Sequence, residues 1–223
     1  MKLCVDAILF GFDKNDNDLK ILLIERKYEP YIYCWALAGG FVKEDETLEN
    51  SVLRELKEET GLVETPYLEQ LYTFGDIDRD PRGRIISVSY YGLIKITDLN
   101  PSTDALDAKW FSVKNLPKNL AFDHKILIEK ALERLRSKII YQPIGFELLD
   151  EYFTFTTLHN LYETILDKSL DRRNFRKKIT NFNILDEIDI ITDDVIIGRP
   201  PKFFKFNIMR YQEKVEKGFY FEL

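Results

Sequence analysis

The stretch from Gly40 to Leu62, GFVKEDETLENSVLRELKEETGL, constrains the fold of this chain more than any other part of its sequence. Apolar residues recur there at helical spacing, and Gly61 can end the helix in the left-handed conformation. At about 100° per residue, Glu55, Glu58 and Glu59 lie within an arc of roughly 80 to 100°, so three carboxylates project from one side of the helix. Such clustered carboxylate oxygens repel one another and favour a hard cation such as Mg²⁺ or Mn²⁺.

The same stretch matches the pattern G-x5-E-x7-R-E-U-x-E-E-x-G-U at every fixed position, where U is an aliphatic residue. In this it resembles the Nudix hydrolase family, and a pattern with so many fixed positions is far more specific than a lone glycine motif. The resemblance implies a cation that activates water and neutralises a diphosphate leaving group. It also implies that Arg54 pairs with Glu46 to orient the loop and the helix. The implied site residues are Glu55, Glu58 and Glu59 as metal ligands, Glu58, Glu59, Arg54 and Glu46 as catalytic residues, and Gly40 and Phe41 as substrate- or effector-binding residues.

Two departures weaken the catalytic interpretation. Ala38 stands where many relatives have proline before the Gly-Gly pair, and no motif marks the additional general base that many Nudix hydrolases supply from a later loop. A solvated acidic helix face is one alternative. A binding pocket that keeps its carboxylates after losing turnover is another.

The rest of the first two thirds predicts a mixed β-sheet sandwiched by helices, an α+β or α/β arrangement that agrees with a Nudix fold. The predicted strands are Leu3–Phe12, Leu19–Arg26, Trp35–Val42, Leu68–Asp76, Ile85–Ile96 and Ala108–Ser112, and the predicted helices are Glu44–Thr60 and Asp123–Ile139.

After Tyr141–Gly145 the pattern changes, which predicts a Nudix domain over residues 1–140 and a winged helix-turn-helix domain over residues 141–223. Two helical stripes are separated by a break at Asp167–Leu170. Two predicted strands, Ile188–Thr192 and Lys202–Phe206, frame a turn at Gly198–Pro201 and form a β-wing. The first stripe consists of Leu158, Leu161, Tyr162 and Ile165, and the second of Phe175, Ile179 and Phe182.

The second of these helices has a basic face, which favours insertion into the major groove of DNA. Arginine and asparagine are side chains that read guanine and adenine edges. A solvated charged helix is the alternative, and it has some support because residues 141–223 contain twelve Lys and Arg against fourteen Asp and Glu. The candidate DNA-binding residues are Arg172, Arg173, Asn174, Arg176, Lys177 and Lys178 on the helix, with Arg199 and Lys202 at the wing.

The two halves together are similar to the Nudix-related transcriptional regulators, which include regulators of NAD metabolism that sense ADP-ribose, arabinose-responsive relatives and kin that are ADP-ribose pyrophosphatases. The resemblance is carried by Thr73–Asp76, Asp78–Arg84, Ile85–Tyr90, Phe122–His124 and, in the tail, Pro143–Leu149 with Leu170–Lys178. It implies an ADP-ribose-like or sugar effector, operator DNA as partner and a homodimer. Arg79, Arg82 and Arg84 are candidates for contact with an anionic effector, with a solvated loop as the alternative. His124 is a candidate either for ligand contact or for capping the following helix, and no chemical role is expected for His159.

Composition excludes several other classes of protein. No stretch approaches a membrane span or a signal peptide, which predicts a cytoplasmic protein with no membrane partner. Cys4 and Cys34 stand alone, which predicts free thiols. The net charge of -6 argues against nucleic-acid binding through the global field and leaves room for a local basic patch. Two hypotheses follow: a ligand-responsive transcriptional regulator, and a Mg²⁺-dependent pyrophosphatase with an accessory C-terminal domain.

Overall fold

The computed structural model of the chain describes residues 1–101, 105–189 and 201–218. It divides into two compact units. The first consists of Met1–Asp13 and Asp18–Arg134, and the second of Lys14–Asn17 and Leu135–Leu223. The domain boundary between residues 140 and 141 stays a prediction.

The first unit contains a seven-stranded mixed sheet with the strand order β3-β2-β1-β6-β5, in which β4 also pairs with β1 and β7 with β2. Strands β1 and β6 run parallel, and the other pairs are antiparallel. The strands are β1 Lys2–Asp13, β2 Asp18–Arg26, β3 Trp35–Ala36, β4 Ala38–Phe41, β5 Tyr67–Phe74, β6 Ile85–Leu93 and β7 Ala105–Ser112. The helices are α1 Leu48–Thr60 and α2 His124–Tyr141, and α2 belongs to this unit up to Arg134.

Helix α1 buries its apolar stripe on this sheet. Val52 and Leu56 of α1 belong to one hydrophobic cluster with Val5, Leu9 and Leu22 of the sheet. The long central strand β1 is buried along both faces, as a strand between helical layers must be. In α2, the apolar side chains that are fully shielded from solvent include Leu127, Ile128, Ala131 and Leu135. The predicted Nudix fold is therefore confirmed.

The observed bounds differ most from the prediction in two elements. Helix α1 begins at Leu48 rather than Glu44, because the Thr47 side chain accepts a hydrogen bond from the Asn50 N–H at 3.2 Å and caps the first turn. The predicted strand Trp35–Val42 is two short strands, β3 on β2 and β4 on β1. At Gly39 a side chain would collide with the backbone of β1, since a Cβ there would lie 2.2 Å from the Val5 carbonyl oxygen.

The second unit has the architecture of a winged helix, with a three-stranded sheet in the order β8-β10-β9. Its elements are a 3-10 helix Phe146–Leu148, β8 Phe153–Thr154, α3 Phe155–Leu166, α4 Arg172–Phe182, β9 Leu185–Ile188, β10 Phe203–Phe206 and α5 Ile208–Glu216. The strand predicted from Ile188 begins earlier, because β9 spans Leu185–Ile188 and pairs with β10 from Leu185 onward, and Asp189 lies outside it. Residues 190–192 and most of the predicted wing turn, including Arg199, lie outside the described residues.

Among the helices described, none is both long enough and apolar enough to cross a lipid bilayer.

Candidate functional site

The carboxylate-bearing face of α1 lies beside the glycines of β4. Glu59 is 8% exposed, and its Oε2 accepts a hydrogen bond from the Gly39 N–H at 2.8 Å. The Glu55 carboxylate lies against Gly40, where a Cβ would be 2.2 Å from Glu55 Oε1. The two glycines therefore let the strand approach these carboxylates more closely than any side chain would allow.

Arg54 gathers the other carboxylates of this helix and its loop. Its Nε donates to Glu46 Oε1 at 2.7 Å, and its Nη1 donates to Glu55 Oε1 at 2.6 Å and to Glu58 Oε2 at 3.2 Å. Its Nη2 donates to the Phe41 carbonyl at 3.2 Å. Arg54 thus meets Glu46 as the sequence pattern implies, and it also holds two of the three predicted metal ligands.

Burial raises the pKa of the Glu59 carboxyl from 4.5 to about 8, the nearby Glu55 carboxylate adds to the rise, and the Gly39 N–H opposes it. A divalent cation suits such neighbouring carboxyl groups, because it replaces the proton on Glu59 and offsets the repulsion between the carboxylates. Within the described residues no three His, Cys, Asp or Glu side chains converge as a preformed metal site, since Glu55 and Glu58 bond to Arg54. The donor set fits a hard cation once these two side chains turn from Arg54 toward Glu59.

The free energy of unfolding of the metal-free protein is expected to fall as the pH rises from about 4.5 to 8. Over this interval the unfolded chain releases the Glu59 proton while the folded chain keeps it, which costs at most about 1.4 kcal/mol per pH unit. Thermal denaturation with EDTA, in wild type and in Glu59→Gln, checks this, because the neutral amide removes the slope. Equal slopes in the two proteins would contradict the assignment.

A pocket of about 460 Å³, open to solvent, adjoins the glycines of β4. It is lined by Cys4, Asp6, Arg26, Leu37, Gly39, Gly40, Phe41, Arg79, Asp80, Arg82, Phe122 and His124. Four of the five residues predicted to contact an effector therefore line it: Gly40, Phe41, Arg79 and Arg82. The fifth, Arg84, is exposed and donates to the Gly75 carbonyl.

The pocket lining includes Arg79, which forms a buried ion pair with Asp123. Arg79 is 7% exposed, and its Nε and Nη2 donate to the two carboxylate oxygens of Asp123 at 2.9 and 2.8 Å. Its Nη2 also lies 3.6 Å from Asp6 Oδ2. Arg79 is therefore a buried, paired side chain and not part of a solvated loop.

His124 is the first residue of α2 and is buried in the wall of the pocket. Its Nδ1 accepts a hydrogen bond from the Leu37 N–H at 2.9 Å, and its Nε2 lies 3.6 Å from Asp6 Oδ1. Burial lowers the pKa of this imidazole, although Asp6 opposes the shift. Through the bond from the Leu37 N–H, His124 links the residue before β4 to the start of α2.

Sequence reasoning missed Asp6 and Arg26. Asp6 lies in the apolar strand β1, where its Oδ2 accepts a hydrogen bond from Ser87 Oγ. The signal for it was a lone charge in an apolar run, since a buried carboxylate needs partners. Arg26 ends β2 among other charged residues, and nothing in the sequence distinguishes it.

The basic helix α4 has the two faces that its spacing predicts. Phe175 and Ile179 are buried, while Arg173, Lys177 and Thr180 on the opposite side are exposed. Asp171 caps the helix by accepting the Asn174 N–H at 2.7 Å. Asn174 and Lys178, the remaining candidates on this helix, are also exposed.

Three of the predicted DNA-binding residues have partners within the second unit. Arg172 donates to Thr156 Oγ1 at 2.7 Å, and the guanidinium of Arg176 lies 5.0 Å from the centre of the Phe155 ring. Lys202 pairs with Glu187 across the base of the wing. His159 is buried and its Nε2 lies 3.0 Å from the Leu170 carbonyl oxygen, an arrangement that holds α3 to the loop before α4.

Comparisons with known proteins match both units. Residues 2–131 match the family model described as NUDIX domain, and residues 145–206 match the model described as NrtR DNA-binding winged helix domain. The ADPR responsive transcriptional repressor NtrR of Acinetobacter baylyi is 35% identical over 214 residues, which are 94% of this chain and 83% of that protein.

Solved structures of Shewanella oneidensis NrtR are also similar. The structure of that protein complexed with a 27mer DNA is 34% identical, covers 94% of this chain and 95% of its own, and superposes with a TM-score of 0.77. The structure of its NUDIX domain complexed with ADP ribose is 43% identical, covers 60% of this chain and 88% of its own, and has a TM-score of 0.55.

Proposed function

This chain belongs to the Nudix family and to its branch with an NrtR-type winged helix, and from that membership we propose that it is an ADP-ribose-responsive transcriptional repressor. The observation that carries the proposal is the likeness over nearly the whole chain to a repressor of that description. A likeness limited to the first unit would have supported a Nudix domain and no more.

The second unit supplies the DNA-binding half of the proposal. The exposed face of α4 carries Arg173 and Lys177, with Arg172, Arg176 and Lys178 at its sides. A homodimer presents two such helices, so the operator is a near-palindrome with half-sites about one helical turn or a multiple of it apart. A protein that binds operator DNA acts where the genome lies, so we expect this protein in the cytoplasm.

The first unit supplies the sensor. Its pocket has a volume suited to a small ligand and adjoins the carboxylates of α1. Nudix hydrolases generally use divalent metal ions. Mg²⁺ or Mn²⁺ held by Glu55, Glu58 and Glu59 would neutralise the diphosphate of ADP-ribose, while Gly40 and Phe41 line the approach to it.

ADP-ribose is expected to lower the affinity of the full-length protein for its own upstream DNA by about 5- to 150-fold, the usual range of coupling between two ligands. Because the coupling is reciprocal, the operator should weaken ADP-ribose binding by the same factor. Fluorescence anisotropy with operator duplex, with and without ADP-ribose and Mg²⁺, measures the first factor, and calorimetry measures the second.

The controls separate the two parts of this proposal. Binding no tighter than to a random duplex of equal length, at moderate salt, rejects the regulator. Specific binding that ADP-ribose leaves unchanged rejects only ADP-ribose as effector, and arabinose then serves as the comparison ligand.

Hydrolysis of a nucleoside diphosphate sugar is the second candidate activity. Two observations favour it. The three carboxylates of the Nudix pattern, Glu55, Glu58 and Glu59, are all present, and Glu59 is held beside β4 with a raised pKa. The two activities can coexist in one protein. Release of AMP and ribose 5-phosphate from ADP-ribose, dependent on added Mg²⁺ or Mn²⁺, distinguishes a sensor that also turns over its ligand from one that only binds it.

A further inference from the structure

Three arginines line the pocket of the first unit, and their charges are compensated differently. Arg79 is paired with Asp123, and Arg82 with Asp80, whose Oδ2 accepts from Arg82 Nη2 at 2.6 Å. Arg26 donates to two backbone carbonyls, from Nε to Pro30 at 2.9 Å and from Nη2 to Tyr28 at 3.3 Å. Within the described ranges of the chain, no carboxylate is paired with it.

Arg26 and Arg82 share one aromatic neighbour. The guanidinium carbons of Arg26 and Arg82 lie 4.9 and 5.3 Å from the centre of the Phe122 ring. Burial lowers the pKa of Arg26, and the positive charge of Arg82 lowers it further. Two like charges at one ring repel, and an anion bound beside them removes that repulsion.

The backbone around Arg26 holds its side chain in place. The Arg26 N–H donates to the Cys34 carbonyl at 2.9 Å, and the Tyr33 N–H donates to the Arg26 carbonyl at 2.9 Å. Tyr31 and Tyr33 both have positive φ, 64° and 63°, a conformation that costs energy for such residues. The loop after β2 is thus folded tightly around the guanidinium, and Nη1 donates no hydrogen bond within the described part of the chain.

Arg26 also lies near the carboxylate helix. Arg26 lines the same pocket as Gly39 and Gly40, the residues of β4 against which the Glu59 and Glu55 carboxylates lie. A diphosphate bound between Arg26 and α1 would meet the guanidinium on one side and the metal-binding carboxylates of α1 on the other.

We propose that Arg26, rather than Arg79 or Arg84, is the arginine that binds the diphosphate of the effector and selects a diphosphate-containing ligand over a neutral sugar. The inference rests on the proposed ADP-ribose function. Arg79 and Arg82 have carboxylate partners that an effector would have to displace, and Arg84 lies outside the pocket lining, whereas among the described residues Arg26 has no paired carboxylate and its Nη1 donates no hydrogen bond.

The test is calorimetric titration of the full-length protein with ADP-ribose in Mg²⁺. Arg26→Gln is expected to weaken binding about 10- to 100-fold, the size of one or two lost charge-assisted hydrogen bonds. Arg26→Lys, which keeps the charge, should recover most of that loss. Arg84→Gln removes the same charge from an exposed residue outside the pocket lining and should change the affinity less than about twofold.

Salt dependence separates a direct contact from a role in folding the loop. If Arg26 binds the diphosphate, the affinity of Arg26→Gln should depend less on salt than that of wild type. Unchanged binding in Arg26→Gln overturns the inference. So does an Arg26→Lys protein that binds as weakly as Arg26→Gln with the wild-type salt dependence, since the guanidinium then acts by holding Pro30 and Tyr28. A wild-type protein that does not bind ADP-ribose rejects the proposed effector and this inference with it.

Discussion

Full-length protein with alanine at both Arg173 and Lys177 is expected to bind its operator at least about 30-fold more weakly than wild type. Both side chains are exposed on the side of α4 opposite Phe175 and Ile179, and a recognition helix enters the major groove with that side. Each good bidentate base contact contributes about 1 to 3 kcal/mol, so the loss of two costs about 2 to 6 kcal/mol, which is at least about 30-fold in affinity. Fluorescence anisotropy with operator duplex is the measurement.

Lys217→Ala is the matched control, because it removes a positive charge from an exposed residue beyond α5 without touching α4. Arg173→Ala alone should also relax the preference for operator over random duplex, whereas Lys202→Ala should weaken both alike and flatten the salt dependence. A double variant that binds operator within threefold of wild type would show that this face of α4 is solvated surface.

Arg79→Met is expected to lower the free energy of unfolding of the first unit by about 3 to 5 kcal/mol. The substitution leaves the Asp123 carboxylate, and with it Asp6, without its cation in a site that is nearly closed to solvent. Methionine fills a similar volume, so the loss comes from the uncompensated charge rather than from a cavity. Thermal denaturation should show a fall in melting temperature of about 10 °C.

The double variant Arg79→Met with Asp123→Asn tests the cause, because removing the stranded charge should restore part of the lost stability. Arg84→Met is the control for the loop, and a change of less than about 0.5 kcal/mol is expected for such an exposed residue. If Arg79→Met has the same melting temperature as wild type, the ion pair contributes nothing to stability.

Elements whose cause is local could be predicted from the sequence. The spacing of Val52 and Leu56 together with the glycine at residue 61 defined α1 and its end, where the Gly61 N–H donates to the Lys57 carbonyl at 3.0 Å and φ is 73°. The apolar stripes of α3 and α4 were equally clear. Start points were less clear, because the cap at Thr47 depends on side-chain geometry that a hydrophobic pattern does not contain. Helix α5 was missed altogether, although Ile208, Tyr211 and Val215 stand at helical spacing in its sequence.

The carboxylate site was predicted because its residues are neighbours on one helix, where spacing alone sets direction. The sequence by itself thus determined the fold class, the acidic face of α1 and the basic face of α4. Three arginines in the loop from Asp78 to Arg84 looked equivalent, yet Arg79 is buried on Asp123, Arg82 lines the pocket and Arg84 is exposed. Only the tertiary structure decided which of these arginines is paired with a carboxylate, because an ion pair depends on partners far apart in the chain, such as Arg79 with Asp123.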